Sequence, residues 1–303
     1  MASPGRQTRT RRLLASATVA GVVASLAACG DDATGTRSSV ATVVVTETAG
    51  AESTPPSSAA DPHAADEKLT ASFNAMSRTL SSPVGLALVP VGGGAVMTFG
   101  DQSPQVAWST IKVPLAVAAE RAQGPTTEET AAIVNSDNAA AETLWESLGS
   151  PTAAAAAVTD VLRDGGDERT TVPSEKLRPE FSVFGQTTWR LSDAATFSGN
   201  LPCMKGTAHV VSLMHDVAGN QQWGVESIEG RETAVKGGWG PSVSGGYLVR
   251  QIGILTLRDG RRVGVAMSTQ TSAGSMEPGT AALNSVAQWM SRNLASLPGG
   301  RCR

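Results

Sequence analysis

The apolar positions of the chain recur with two spacings, one typical of helices and the other of strands. Residues 66–80 carry apolar side chains three or four positions apart, which predicts an amphipathic helix. These side chains are Leu69, Phe73, Met76 and Leu80. Residues 83–91 form an apolar run that ends at a glycine cluster and is followed by residues 95–99, which predicts a β-hairpin.

The middle and the end of the chain show the same two spacings. Residues 111–219 are rich in alanine and predict a block of helices. Two apolar runs, residues 247–257 and 261–269, flank Asp259-Gly260, a dipeptide typical of a tight hairpin turn. Residues 279–297 predict a closing amphipathic helix. Its apolar face consists of Leu283, Val286, Met290 and Leu294.

This order of elements predicts an α/β (α+β) fold. Strands near both ends of the chain pair into one antiparallel sheet flanked by the terminal helices. An all-helical subdomain, about residues 113–219, is inserted between them. We expect a cleft where the sheet and this subdomain meet, because clefts of this kind are common binding sites.

The first 65 residues have a composition unlike that of the rest. Residues 1–29 combine four arginines with an apolar stretch and end in Leu-Ala-Ala-Cys, which resembles a bacterial lipobox. The pattern predicts a lipoprotein signal peptide with Cys29 as the lipidated residue; the alternative is an ordinary signal peptide and an unmodified thiol. Residues 30–65, rich in Ser, Thr, Ala and Pro, predict a disordered tether. The folded domain, residues 66–303, would then sit on the outer face of the cell membrane.

Charge and cysteine content narrow the function classes. The net charge is −3, and removal of the four arginines in residues 1–29 would make it −7, so no nucleic-acid surface is predicted. No apolar run is long enough to predict a membrane span. Two thiols remain besides Cys29. In an exported chain we expect Cys203 and Cys302 to form a disulfide, the alternative being two independent thiols.

A serine and a lysine one helical turn apart are the first candidates for chemistry. Ser109 and Lys112 stand at the start of a helical run, so they share a face near the positive end of the helix dipole. A buried lysine with a lowered pKa can accept the proton of such a serine. The alternative is that Ser109 only caps the helix.

Two further short motifs accompany this pair. The sequence Ser-Asp-Asn at residues 136–138 lies between two helical runs, and its alternative role is a helix cap. The sequence Lys-Gly-Gly at residues 236–238 follows a predicted strand, and its alternative role is a strand end that runs into a glycine turn.

Together the three motifs resemble the set S-x-x-K, S-D-N and K-T-G of the class A serine β-lactamases and the penicillin-binding proteins. They occur in the same order here, within a similar pattern of helices and strands. The Thr-rich residues 186–189 are similar to the segment after the Ω-loop of class A enzymes. The resemblance covers about residues 66–297 and implies a β-lactamase-like domain of an actinobacterial-type lipoprotein.

The resemblance implies a role for each matching residue. Ser109 would be the acylated nucleophile, Lys112 its general base, and Ser136 the proton relay to the leaving nitrogen. Asn138 would hold the amide of the acyl group and orient Lys112. Lys236 would attract the substrate carboxylate and tune Ser136.

The implied substrate site departs from the family in two respects. The backbone N–H groups of Ser109 and Trp239 would form the oxyanion hole, and Gly237 and Gly238 would border the substrate. Where the family has Thr or Ser, this chain has Gly237, so a hydroxyl that binds the substrate carboxylate is missing. The gap from Ser109 to Ser136 is about half that of class A enzymes, so we expect one wall of the cleft to be absent.

Deacylation is a third departure. Class A enzymes use an Ω-loop glutamate in a Glu-Pro-x-x-Asn setting. Glu168, Glu175 and Glu180 lie in the corresponding region, and none has that setting. We therefore expect slow or absent turnover of β-lactams, unless Glu175 or Glu180 serves as the base from a different loop path.

Two function classes remain. The first is a serine hydrolase acting on a cell-wall peptide or a β-lactam-like amide, and the second is a non-catalytic protein that binds peptidoglycan or an envelope partner. A Ser-His-Asp hydrolase has little support, because His63 falls in the tether and His209 and His215 in a helical stretch. We expect a monomer with no cofactor and no metal.

Overall fold

The structure, a computed structural model, describes residues 62–303. The predicted signal peptide, the predicted lipidation site Cys29 and nearly all of the predicted tether lie outside the described residues. Within the described part the chain forms eight α-helices and seven β-strands. No helix in that part is long and apolar enough to cross a membrane.

The helices and strands alternate in blocks, as the sequence predicts. The helices are α1 Pro62–Ser77, α2 Lys112–Gln123, α3 Thr127–Val134, α4 Asn138–Ser147, α5 Pro151–Asp164, α6 Leu191–Asn200, α7 Ala208–His215 and α8 Glu277–Arg292. The strands are β1 Val84–Pro90, β2 Met97–Gly100, β3 Gln105–Val106, β4 Thr188–Trp189, β5 Thr233–Pro241, β6 Tyr247–Thr256 and β7 Arg262–Thr271.

The terminal helices are present with shifted ends. Helix α1 begins at Pro62 and ends at Ser77, earlier than predicted at both ends. A side-chain hydroxyl hydrogen-bonds to a carbonyl at its end, because Thr79 Oγ1 donates to the Met76 carbonyl at 2.7 Å. Such a bond competes with the backbone hydrogen bonds that would extend the helix. Helix α8 ends at Arg292 and gives way to a short 3-10 turn, so the predicted helical end at residue 297 was too late.

The main sheet is antiparallel and has the strand order β2-β1-β7-β6-β5. Both predicted hairpins are confirmed as β1–β2 and β6–β7, and β1 pairs with β7 so that strands from the two ends of the chain are neighbours. Strands β6 and β7 are buried along nearly their whole length because helices cover both faces of the sheet. For that reason the sequences of these strands are nearly continuous apolar runs.

Two apolar cores hold the helices to the sheet. On one face α1 and α8 pack over the strands, where the rings of Phe73, Phe99 and Trp289 lie 5.1–5.3 Å apart. The other face is covered by α6 and the helical block α2–α5 and α7. The predicted insertion of helices between the first and last strands is therefore confirmed.

The predicted disulfide is present. Cys203, in the turn after α6, is bonded to Cys302, 99 positions further along. It ties the end of the chain to the helical side of the domain. Such a long closed loop restricts the unfolded chain strongly.

Candidate active site

The backbone before Ser109 is strained. Strand β3 pairs with β4, and the chain then turns through a 3-10 segment, Trp108–Ile111, directly into α2. Trp108 has a φ of 49°, a region that bulky residues rarely adopt. Ser109 follows it, half-buried at the entry of the helix, where backbone N–H groups are free of helix partners. Strain of this kind is common next to reacting groups.

The same strain recurs at Ser136. Its φ is 58°, and Trp108 and Ser136 are the two non-glycine residues with positive φ among residues 62–303. Asp137 fixes the segment by accepting a hydrogen bond from the Ala140 N–H at 2.7 Å, as an N-cap of α4 does. The turn aims the carbonyls of Ser136 and Asp137 at Lys112.

Lys112 is held by the Ser-Asp-Asn segment. Its Nζ donates to the Ser136 carbonyl at 2.7 Å, the Asp137 carbonyl at 3.1 Å and Asn138 Oδ1 at 2.7 Å. Burial lowers the pKa of Lys112 to about 8, although Asp137 and Glu142 oppose the shift. An amine with this pKa is a usable proton acceptor near neutral pH.

Lys236 meets the same segment from the sheet. Its Nζ donates to Ser136 Oγ at 2.8 Å, to the Gly237 carbonyl at 2.9 Å and to Gln221 Oε1. Burial lowers the pKa of Lys236 well below its ordinary value, and the nearby Lys112 adds to the effect. The two motif lysines therefore reach opposite sides of Ser136.

Part of this network opens onto a cleft of about 400 Å³, whereas Ser136, Lys236, Gly237 and Gly238 are not among the residues that line it. Ser109, Lys112, Asn138 and Trp239 line it, so four of the residues singled out by sequence meet there. Within residues 62–303, Ser109 Oγ makes no hydrogen bond to another protein group in this state.

Solved structures with a similar fold include β-lactamases. One from Burkholderia vietnamiensis is 19% identical, has a TM-score of 0.59 and covers 75% of this chain and 96% of its own. One from Xanthomonas campestris is 20% identical, with a TM-score of 0.57 and coverage of 76% and 98%. One from Sphaerobacter thermophilus is 18% identical, with a TM-score of 0.55 and coverage of 76% and 97%.

The chain has the serine β-lactamase fold. No protein-family model matches the sequence, and no curated protein matches it significantly in sequence. At 20% identity or less the likeness to these structures establishes the fold. What the cleft does has to be argued from its own residues.

Gln221 is a residue of the hydrogen-bond network around Lys236 that the sequence did not reveal. Its Nε2 donates to the Ile133 and Val134 carbonyls at 2.9 and 2.8 Å, and its Oε1 accepts from Lys236 and from the Gly237 N–H at 3.0 Å. The side chain thus joins the end of α3 to the edge strand β5. It belongs to no short motif, and a buried glutamine has no periodic signature.

Strand β5 lies directly against the start of α2. A Cβ on Gly238 would stand 2.9 Å from the Ser109 nitrogen and 2.9 Å from the Ala107 carbonyl oxygen, so only glycine fits. Gly237 and Gly238 are both buried, whereas Trp239 reaches the cleft. The Ser109 amide and β5 are close, as an oxyanion hole requires, and the paired role of the Ser109 and Trp239 amides stays a prediction.

Two carboxylates line the cleft: Glu180, which the sequence had singled out, and Glu142, which it had not. Glu180 lines it and forms an ion pair with Arg178, with Oε1 3.3 Å from Nε. Glu142, one turn along α4 from Asn138, also lines it, and among the described residues it forms no ion pair. Glu168 and Glu175 are exposed.

Two of the three histidines, His209 and His215, lie in helix α7, whereas His63 belongs to the first turn of α1 and not to the predicted tether. His215 Nδ1 contacts the Thr233 carbonyl, and His209 Nε2 lies 4.0 Å from Glu129 Oε2. Neither lines the cleft. The described part therefore offers no support for a serine hydrolase that uses histidine.

Proposed function

We propose that this chain is a serine acyl hydrolase of the cell envelope, acylated at Ser109 by cell-wall peptide or β-lactam-type amides, with slow turnover. One observation carries the proposal. Lys236 donates to Ser136 Oγ at 2.8 Å while Lys112 donates to the carbonyl of the same residue at 2.7 Å. Three separate motifs thus converge beside a half-buried serine.

Acylation uses groups that are already in place. At pH 7 about a tenth of Lys112 is neutral if its pKa is about 8. A neutral amine has two N–H donors, so it keeps the shorter bonds to Ser136 and Asn138, releases the Asp137 carbonyl and accepts the proton of Ser109. Ser109 Oγ then bonds to the carbonyl carbon, and the amide C–N bond breaks as Ser136 Oγ passes its proton to the leaving nitrogen. Lys236 Nζ, 2.8 Å from Ser136 Oγ, replaces that proton, so Lys112 ends with the proton of Ser109 and Lys236 ends neutral.

Slow deacylation follows from the carboxylates. Hydrolysis of the ester needs a water held by a general base, and loss of such a base costs about 10²–10⁴-fold in rate. Glu180 is engaged with Arg178, and the glutamates of the Ω-loop region lack the family setting. Glu142, the other carboxylate that lines the cleft, belongs to α4 and interacts with the charge of Lys112. The acyl-enzyme would therefore persist.

The experiment is a time course with a fluorescent penicillin and a chromogenic cephalosporin. We expect one label per chain that is lost slowly, with cephalosporin hydrolysis far below the ordinary turnover of about 10 s⁻¹. Ordinary turnover that Ser109→Ala abolishes would instead identify an efficient β-lactamase, and the sequence expectation of slow turnover would be wrong.

The second candidate is a non-catalytic binder of peptidoglycan or an envelope partner. The observation that favours it is the free hydroxyl of Ser109, which has no hydrogen bond to Lys112 or Ser136 within the described residues. An absence of covalent label, together with saturable binding of muropeptides to the unlabelled protein, would select this candidate.

The proposed location is the outer face of the cell membrane, with the chain anchored through a lipid on Cys29. The lipobox-like end of residues 1–29 is the support for it. Mass spectrometry of the mature N-terminal peptide should find a diacylglyceryl cysteine at Cys29. An unmodified thiol, or cleavage elsewhere, would contradict it.

A further inference from the structure

Lys236 has no hydrogen left for a ligand. Its side chain is 0% exposed, and Nζ donates to Ser136 Oγ, Gln221 Oε1 and the Gly237 carbonyl. An ammonium group has three N–H donors, and all of them are used inside the protein. Lys236 therefore cannot donate a hydrogen bond to a substrate carboxylate. The motif alone had implied that it would bind one.

An indole fills the place where the family carries a hydroxyl. A Cβ on Gly237 would stand 2.8 Å from Trp223 Cζ2 and 3.2 Å from Trp239 Cζ3. Trp223 is buried and held in place because its Nε1 donates to the Asn220 carbonyl at 3.0 Å. A threonine at position 237 would collide with this ring, so the missing hydroxyl follows from the packing of Trp223 against β5.

The next cation on the sheet is also out of reach. Arg250, which pairs with Gly238 across β5 and β6, is 0% exposed. Its Nη1 donates to three backbone carbonyls that hold the strands before Ser109, those of Gln105, Val106 and Trp189. Arg250 supports the backbone and does not face a ligand.

Two cations on the loop between α5 and α6 are either hydrogen-bonded inside the protein or screened by water. Arg178 donates to the Pro241 carbonyl at 2.9 Å and pairs with Glu180. Lys176 lines the cleft from an exposed position, where water weakens its field. Glu142, in contrast, adds an unpaired negative charge to the same cleft.

We propose that the cleft takes an acyl donor with no carboxylate next to the scissile bond, such as an internal or amidated peptide unit. This inference rests on the proposed function, because it concerns acylation of Ser109. The half-buried ring of Trp239 gives a flat apolar surface on which such a neutral unit can pack.

The test compares two labels that differ only in that carboxylate, a fluorescent penicillin and its methyl ester. Where a site binds the carboxylate through charged hydrogen bonds, the acid reacts about 10- to 100-fold faster. Here we expect second-order acylation rates of Ser109 that agree within about 3-fold. An acid that reacts more than 10-fold faster overturns the inference and leaves the proposed function standing, whereas no reaction with either label overturns both.

A pair of variants sharpens the comparison. Trp223→Ala combined with Gly237→Thr clears the indole and installs the hydroxyl, and we expect the ratio of acid to ester to rise at least about 5-fold. Trp223→Ala alone is the matched control, with a ratio that stays near that of the unaltered protein. An equal rise in the control would show that the hydroxyl position does not decide the preference, and would overturn the inference.

Discussion

Helix α2 carries a charged side chain at each end, a buried lysine and a half-buried glutamate, and the two differ in the hydrogen-bond partners around them. Lys112 begins the helix, and Glu120 lies in its last turn, so the helix dipole disfavours both. Each has a buried neighbour of its own sign. Lys236 lies near Lys112, and Glu129 lies near Glu120.

The lysine pair is surrounded by hydrogen-bond acceptors, whereas the carboxylate oxygens of the glutamate pair lack hydrogen-bond donors. Each ammonium group donates three hydrogen bonds. Glu120 Oε2 and both oxygens of Glu129 are buried without a hydrogen-bond partner in the described residues. Burial, with the contact to Glu120, raises the pKa of Glu129 to about 8. Burial shifts the pKa of all three groups toward the neutral form, but the two lysines alone have hydrogen-bond partners among the described residues, and this contrast marks the cleft as a built site.

The largest effect should come from Lys236→Met. It removes the partner of Ser136 Oγ, so we expect the labelling rate of Ser109 to fall by about 10²–10⁴-fold. The unfolding free energy should fall by about 1–3 kcal/mol, because the buried Gly237 carbonyl loses its donor, and this loss is too small to unfold the domain. Labelling stopped at fixed times measures the rate, and thermal unfolding measures the stability. An unchanged labelling rate would refute the role of Lys236 and Ser136 in proton transfer.

Gln221→Leu should remove one hydrogen-bond acceptor of Lys236 while the lysine itself stays in place. Lys236 and the Gly237 N–H then each lack an acceptor and the Ile133 carbonyl lacks its donor, so we expect a loss of about 2–3 kcal/mol in unfolding free energy. The neighbouring exposed Gln222, changed to Leu, is the control. Equal losses for the two variants in urea unfolding would contradict this account of the network.

Glu129→Gln should remove the cost of burying a carboxylate on α3 beside Glu120, the residue in the last turn of α2. A carboxyl with a folded pKa of about 8, above its ordinary 4.5, contributes stability that is complete below pH 4.5 and is lost as the pH rises through 8. The variant should therefore gain about 1–2 kcal/mol at pH 8.5 and almost nothing at pH 4. Thermal unfolding across this range measures the gain. The same gain in Glu128→Gln, at the adjacent position, would show that burial is not the cause.

The smallest effect concerns the pH profile of acylation. Labelling of Ser109 should rise with pH through about 8, because the neutral form of Lys112 accepts the proton. Glu142 raises the pKa of Lys112, so Glu142→Gln should move the midpoint to lower pH. A midpoint that stays in place, or moves upward, would show that Glu142 does not act on Lys112.

The sequence reveals what depends on local spacing. Ser109 and Lys112 are one turn apart in any helix, and the hairpin at Asp259-Gly260 follows from turn chemistry, so both were predictable. Helix ends were less so, because α1 ends on hydroxyl bonds and α8 on a turn that apolar spacing does not encode.

Long-range packing is the part that the sequence did not reveal. Gln221 and Trp223 act on Lys236 and Gly237 across the fold, and neither belongs to a motif or an apolar period. Gly237 looked like a simple loss of a hydroxyl. The structure shows that an indole occupies the space, which changes the expected ligand.

The most direct test of the central claim is the mass of the protein after reaction with a penicillin. We expect the intact chain to gain the mass of one whole penicillin molecule, and peptide mapping to place it on Ser109. Ser109→Ala should show no gain, while Ser182→Ala, a second serine of the same cleft, should react as the unaltered protein does. Addition at another residue, or addition that persists in Ser109→Ala, would contradict the account.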